Sequence, residues 1–174
     1  MLLAAVSLGV WLALPTQAAA AAEVLWSIGT ADGVGIEFAP GARNQLTYTV
    51  GQSVPSKDFA GHQNGSVGFD AAASGEKPYT IAFDLKEPPS GAYHLTLDLI
   101  YRSGAPQRIK VKVNEWVGIF PVRHAQTKST YGDEANVMLM AKQHLVVSIE
   151  GAWLKPAGNQ ISITPLGIGG WDYD

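Results

Sequence analysis

Apolar and polar residues alternate with period two along several stretches of the chain. In Tyr79–Leu85, Tyr79, Ile81, Phe83 and Leu85 fall on one side, while Thr80, Ala82 and Asp84 fall on the other. Tyr93–Tyr101 sets Tyr93, Leu95, Leu97, Leu99 and Tyr101 opposite His94, Thr96 and Asp98, and Arg108–Val113 alternates without a fault. Successive side chains of a strand point to opposite faces, so each segment predicts a strand with one buried and one wet side. Leu46–Val50 gives a shorter case, Trp116–Phe120 returns after the Asn114-Glu115 turn, and His144–Glu150 and Gln160–Thr164 follow. Val24–Gly29 reads as a further short strand. No segment carries an apolar stripe of helical spacing. Strands recurring between Gly-rich polar connections predict an all-β, antiparallel sandwich or barrel. Gly51–Pro78 and Pro121–Ala135 break the rhythm and read as long irregular segments that either carry function or cover sheet edges.

The first 22 residues contain no Asp, Glu, Lys or Arg. Leu2–Leu14 is an apolar run ended by Pro15 and followed by small residues, which predicts a secretory signal peptide over residues 1–22, without the usual basic start. The run is shorter than the ~20 residues needed to cross a bilayer. The remaining segment, 23–174, suits one domain. Its 12 basic and 15 acidic residues nearly balance, with no basic block, which argues against nucleic acid and anionic membrane surfaces as partners. With no cysteine, disulfides, thiolate metal sites and a cysteine nucleophile are excluded.

Catalytic signatures are sparse. His62, His94, His124 and His144 are scattered singly and form no HxH or HExxH spacing, no G-x-S-x-G elbow occurs, and Asp133-Glu134 sits in a polar loop as a solvated pair. Aromatics are better supplied. Trp116, following a hairpin turn, and Tyr131, in the long polar loop, are expected at the surface, whereas Trp26, Trp153, Tyr93 and Tyr101 are expected to pack inward and Trp171 fits either class. Exposed aromatic faces stack on pyranose rings, and neighbouring polar groups bond to hydroxyls.

The opening Leu25-Trp26-Ser27-Ile28-Gly29-Thr30-Ala31-Asp32-Gly33, with Glu37-Phe38, resembles that of the carbohydrate-binding-module-like jelly roll found as the third domain of rhamnogalacturonan lyases, polysaccharide lyase family 4. Tyr79–Leu85 resembles its middle strand, Val111-Lys112-Val113-Asn114 its V-x-V-N hairpin, and Leu154-Lys155-Pro156-Ala157-Gly158-Asn159-Gln160-Ile161 its closing hairpin. Two departures stand out: an extra residue between Pro156 and Gly158, and Glu115-Trp116 where the family usually has glycine. The family's last strand starts at a Tyr-Asp pair, matched here by Tyr173-Asp174. The expectation is that a closing strand lies beyond Asp174, or that another strand closes the sheet.

The resemblance implies an antiparallel jelly-roll β-sandwich of the galactose-binding, CBM-like kind. It further implies a secreted, non-catalytic module that binds an acidic plant or algal polysaccharide, rhamnogalacturonan-like, as part of or beside a polysaccharide-degrading enzyme. Trp116, Arg123, His124, Lys128 and Tyr131 are the expected sugar contacts, the cationic side chains suiting a uronate carboxylate. Such jelly rolls often hold a structural calcium ion, for which Asp32, Glu37, Asp172 and Asp174 are the candidate ligands near the two ends of the chain. Two alternatives stay open: a polysaccharide lyase whose catalytic part lies outside this chain, and a purely structural inter-domain module.

Overall fold

The structure, a computed structural model, describes residues 23–65, 75–101, 108–121, 127–129, 138–167 and 169–174. The signal peptide expected at 1–22 lies outside them. The period-two segments become strands whose apolar rows face inward. In β4 (Tyr79–Phe83), Tyr79, Ile81 and Phe83 are buried, and in β6 (Arg108–Val113) so are Ile109, Val111 and Val113. The longest ladder joins β5 (Ala92–Tyr101) to β9 (Met138–Glu150), with Leu95 opposite Val147 and Tyr93 opposite Ile149 on the core side.

Two sheets result. The first has the order β1 (Ala39–Arg43), β3 (Ala60–Asn64), β11 (Gly170–Tyr173), β5, β9, β8 (Thr127–Ser129). The second has the order β2 (Leu46–Thr49), β4, β10 (Asn159–Leu166), β6, β7 (Trp116–Pro121). They pack face to face over one apolar core to which every long strand contributes. The fold is an all-β sandwich, as its sequence predicts. Two pairings depart from the antiparallel rule: β1 runs parallel to β3, and β2 parallel to β4. The chain alternates between the sheets from β1 to β4, so each sheet receives strands that travel the same way.

Several local expectations need correction. Val24–Gly29 is not a strand; it runs as irregular chain and lays Trp26 against Phe83. The stretch read as irregular at Gly51–Pro78 contains a single helical turn, α1 (Pro55–Asp58), and strand β3. The second irregular stretch contains β8. β3 escaped notice because its sequence, AGHQN, lacks an apolar alternation. Its inward side chain is Gln63, fully buried, which donates to the Lys77 and Ile163 carbonyls (2.7 and 2.9 Å) and accepts from the Tyr173 hydroxyl at 2.5 Å. A polar side chain can occupy the core when each of its hydrogen-bonding groups finds a partner.

Aromatic rings fill one end of the core. Phe59 touches Phe38, Tyr48, Tyr79 and Tyr173 at centroid distances of 5.0–5.9 Å. Trp171 is buried beside them. The Asp32–Phe38 segment folds over the end of β11. Its Gly33 N–H bonds to Asp174 Oδ1 (2.5 Å), and Gly35 packs so closely that a Cβ would overlap the Tyr173 carbonyl oxygen. β11 itself, which ends at the tyrosine of the Tyr173-Asp174 match, sits inside its sheet between β3 and β5.

Candidate functional site

The hairpin joining β6 to β7 turns on two residues, Asn114 and Glu115, between the paired Val113 and Trp116. Asn114 has φ of 51°, the one non-glycine among the described residues in the left-handed region. Asparagine tolerates that conformation because its short side chain bonds locally. The strain falls on Asn114 alone, so Glu115 is accommodated where the family usually has glycine.

The Asn114 side chain binds the turn to the loop that follows β9. Its Nδ2 donates to the Trp153 carbonyl (2.8 Å) and to Asn159 Oδ1 (3.1 Å), while its Oδ1 accepts from the Gln160 N–H at 3.0 Å. Asn159, fully buried, closes the loop on itself. It accepts from the Lys155 N–H (2.8 Å) and donates to the Lys155 carbonyl (2.7 Å). Two sequence fragments some forty residues apart, V-K-V-N and L-K-P-A-G-N, are thus one hydrogen-bonded unit.

This unit positions a pair of tryptophans. The 3-10 turn Gly151–Trp153 holds Trp153 half-buried against the core, and Trp116 stacks on it at 5.2 Å with 20° between the planes. Trp116 is 54% exposed. One face of its indole rests on Trp153, leaving the other as a flat apolar platform open to solvent. On the other, solvent-facing side of the second sheet, the Asn114-Glu115 turn borders a polar recess of about 280 Å³, lined by Lys112, Asn114, Glu115, Lys155, Gln160 and Ser162. Lys112 and Glu115 stand 4.0 Å apart, too exposed to neutralise each other strongly. The hairpin therefore carries a stacking surface on one side and, on the other, a recess with two ammonium groups and amide and hydroxyl hydrogen-bonding groups.

Of the residues expected to contact sugar, Trp116 lies at the surface as anticipated. Arg123, His124 and Tyr131 lie outside the described residues, and Lys128 belongs to β8, opposite Leu139. Lys112, Lys155, Asn114 and Asn159 were missed. The two lysines look like ordinary strand and loop charges in the sequence. The signal for Asn159 is its place directly after the Pro156-Ala157-Gly158 turn, and that for Asn114 its place after a faultless strand.

The four candidate calcium ligands are spread over separate contacts. Asp32 Oδ1 accepts from the Val34 N–H within its own turn (2.9 Å), and Glu37 Oε1 accepts from the Thr30 N–H at 2.8 Å. Asp172 pairs with His62 Nδ1 at 2.7 Å, and Asp174 with Gly33 as described and with Lys142 at 4.0 Å. Among the described residues, no group of three or more His, Cys, Asp or Glu side chains is placed to hold a metal ion. His144 likewise pairs with Asp98 at 2.7 Å on the wet face of the first sheet.

Comparison with curated proteins gives no match. The family model described as CBM-like, polysaccharide lyase family 4, domain III, matches residues 24–174, from the Trp26 opening to the end of β11. With that match spanning the whole sandwich, the chain belongs to the CBM-like domain III family of polysaccharide lyase family 4.

Proposed function

We propose that the protein is a secreted, non-catalytic carbohydrate-binding module for an acidic plant or algal polysaccharide of the rhamnogalacturonan kind, acting as part of, or beside, a polysaccharide-degrading enzyme. The observation that carries this reading is Trp116, held flat and exposed on Trp153; the recess that contains Lys112 and Lys155 belongs to the same hairpin but opens on the other side of the sheet. An indole face suits the C–H face of a pyranose, and ammonium groups suit uronate carboxylates through charge-assisted hydrogen bonds. Arg123, His124, Lys128 and Tyr131 extend the contact in this proposal. Secretion rests on the Leu2–Leu14 run, and the exported protein is expected to begin between Ala19 and Glu23.

Affinity electrophoresis tests the reading. The protein should be retarded in gels containing rhamnogalacturonan or pectin and not in a neutral glucan, and Trp116→Ala should migrate freely in all three. Equal mobility of both proteins in every gel overturns the proposal. Ultraviolet absorbance rising when the chain is incubated with the polymer would reveal eliminative cleavage and overturn its non-catalytic part.

A further inference from the structure

Each of the two sheets ends in two edge strands, β1 and β8 in the first, β2 and β7 in the second. An edge presents unpaired N–H and C=O groups, and folds commonly blunt it by brevity, charge, proline or a bulge. β1 carries Pro40, Arg43 and a register shift, β8 has three residues including Lys128, and β2 has four. β7 is different. Its six residues, WVGIFP, include no charge and no proline before the last position. Val117 and Ile119 are 58% and 54% exposed on its solvent-facing side, in the row of Lys110 and Lys112.

The two-residue turn before β7 fixes which of its backbone groups are free. Val113 and Trp116 close that turn as a hydrogen-bonded pair, and such pairs alternate along an antiparallel ladder. Gly118 and Phe120 therefore also bond to β6, whereas the N–H and C=O groups of Val117 and Ile119 point away from it. Among the described residues, nothing pairs with β7 on that side. Pro121, which lacks an N–H, ends the run of free donors.

We propose that β7 is a self-association edge, on which a second copy of the chain lays its own β7 antiparallel about a two-fold axis at Gly118. Val117 then pairs with Ile119 of the second copy and Ile119 with its Val117, so both N–H and both C=O groups freed on each strand find partners. Glycine meets glycine at the axis, where opposed Cα atoms approach to ~4.5 Å. The absent Cβ also matters within each chain, since the Phe120 ring occupies its place. Across the join the outer row runs Lys110, Ile119, then Val117 and Lys112 of the second copy, which sets β-branched residues together and opposes no like charges. Slipping the register by two residues sets Ile119 against the charged Glu115 in one direction and Val117 against Pro121 in the other. The Gly118-centred register is thus the self-complementary one. So short a ladder falls below the ~1,200 Å² of a standard interface, which makes the pair weak and dependent on concentration. It does not rest on sugar binding.

Sedimentation equilibrium of the protein alone, without polysaccharide, from ~5 to ~500 μM tests the proposal. The weight-average mass should rise from that of one chain toward that of two, and no further. Ile119→Lys and Val117→Glu, both at exposed positions, should each raise the dissociation constant about tenfold or more. Mixed in equal amounts, the two variants should associate again, because the register sets the new lysine of one chain against the new glutamate of the other. Wild-type protein that keeps the mass of one chain throughout overturns the proposal, as does growth beyond two chains. Association that both substitutions leave unchanged places the contact elsewhere and overturns it. A mixture no more associated than its components overturns the pairing of Val117 with Ile119, and the proposal with it.

Discussion

Tyr79 shows how much one side chain does in this fold. Its ring is fully buried between Phe59 and Tyr173, and its hydroxyl donates to the His62 carbonyl at 2.6 Å and accepts from the Arg43 N–H at 3.1 Å. A residue of β4 in the second sheet thereby holds β1 and β3 in the first. Burial raises its pKa above the ordinary tyrosine value of 10.0, against a smaller downward pull from the backbone bond and charge of Arg43. Tyr48 is raised as well, by burial and then by the charge of Asp58. The unfolded chain releases these protons near pH 10 while the folded chain retains them. Their contribution to stability is therefore complete below pH ~10 and is lost as the pH climbs toward the folded-state pKa. Tyr79→Phe leaves the His62 carbonyl and Arg43 N–H without this partner and should cost about 1–3 kcal/mol at neutral pH. Urea denaturation from pH ~8 to ~11 should show the wild type losing stability more steeply than the variant. Parallel slopes would mean that Tyr79 does not titrate differently in the two states.

At the scale of elements, legibility followed the alternation of apolar residues. β4, β5, β6 and β10 were readable because each has one wet face, and period two records it in the sequence, while β7 was readable from the Asn114-Glu115 turn before it. β1 and β3 were not: APGAR and AGHQN owe their extended form to partners contributed from elsewhere, including Gln63 and Tyr79. Val24–Gly29 failed in the opposite sense, since its apolar residues rest on the core without joining a ladder. In the site, the exposed Trp116 was foreseeable from its place after a turn, but the Asn114–Asn159 network was not, because it joins residues 45 positions apart. This network gives a test of the hairpin as a unit. Asn114→Ala removes three side-chain bonds and places a Cβ-bearing residue at positive φ, so thermal unfolding should fall by the equivalent of about 2–4 kcal/mol. Asn114→Gly relieves the backbone strain and should recover part of that loss. For the recess, Lys112→Ala with Lys155→Ala should weaken retardation by pectin while leaving thermal stability close to wild type. Raising the salt toward 1 M, where the Debye length is ~3 Å, should mimic the double variant. Retention unaffected by either change would put the charge recognition elsewhere.

For the whole molecule, the question is what replaces the cross-links that the sequence lacks. Cysteine is absent, so no disulfide contributes. The two sheets enclose a core that includes Trp171, four further aromatic residues around Phe59 and aliphatic rows from β4, β5, β6 and β10, the kind of apolar burial that stabilises a domain of this size unaided. The carboxylates near the two ends of the chain stabilise it through their own contacts: Asp32 and Glu37 hold N–H groups of their loop, and Asp174 ties that loop to the end of β11. A bound ion would have to draw these oxygens away from N–H groups and from Lys142, exchanging existing bonds for new ones. Any ion that binds only the folded state raises stability in proportion to the logarithm of its concentration over its dissociation constant. Melting curves in excess EDTA and in ~5 mM calcium chloride should therefore coincide. Asp174→Asn, which keeps an oxygen acceptor for Gly33 and removes the charge facing Lys142, should shift them little. A midpoint several degrees higher with calcium, abolished by Asp174→Asn, would show that these carboxylates gather around an ion after all.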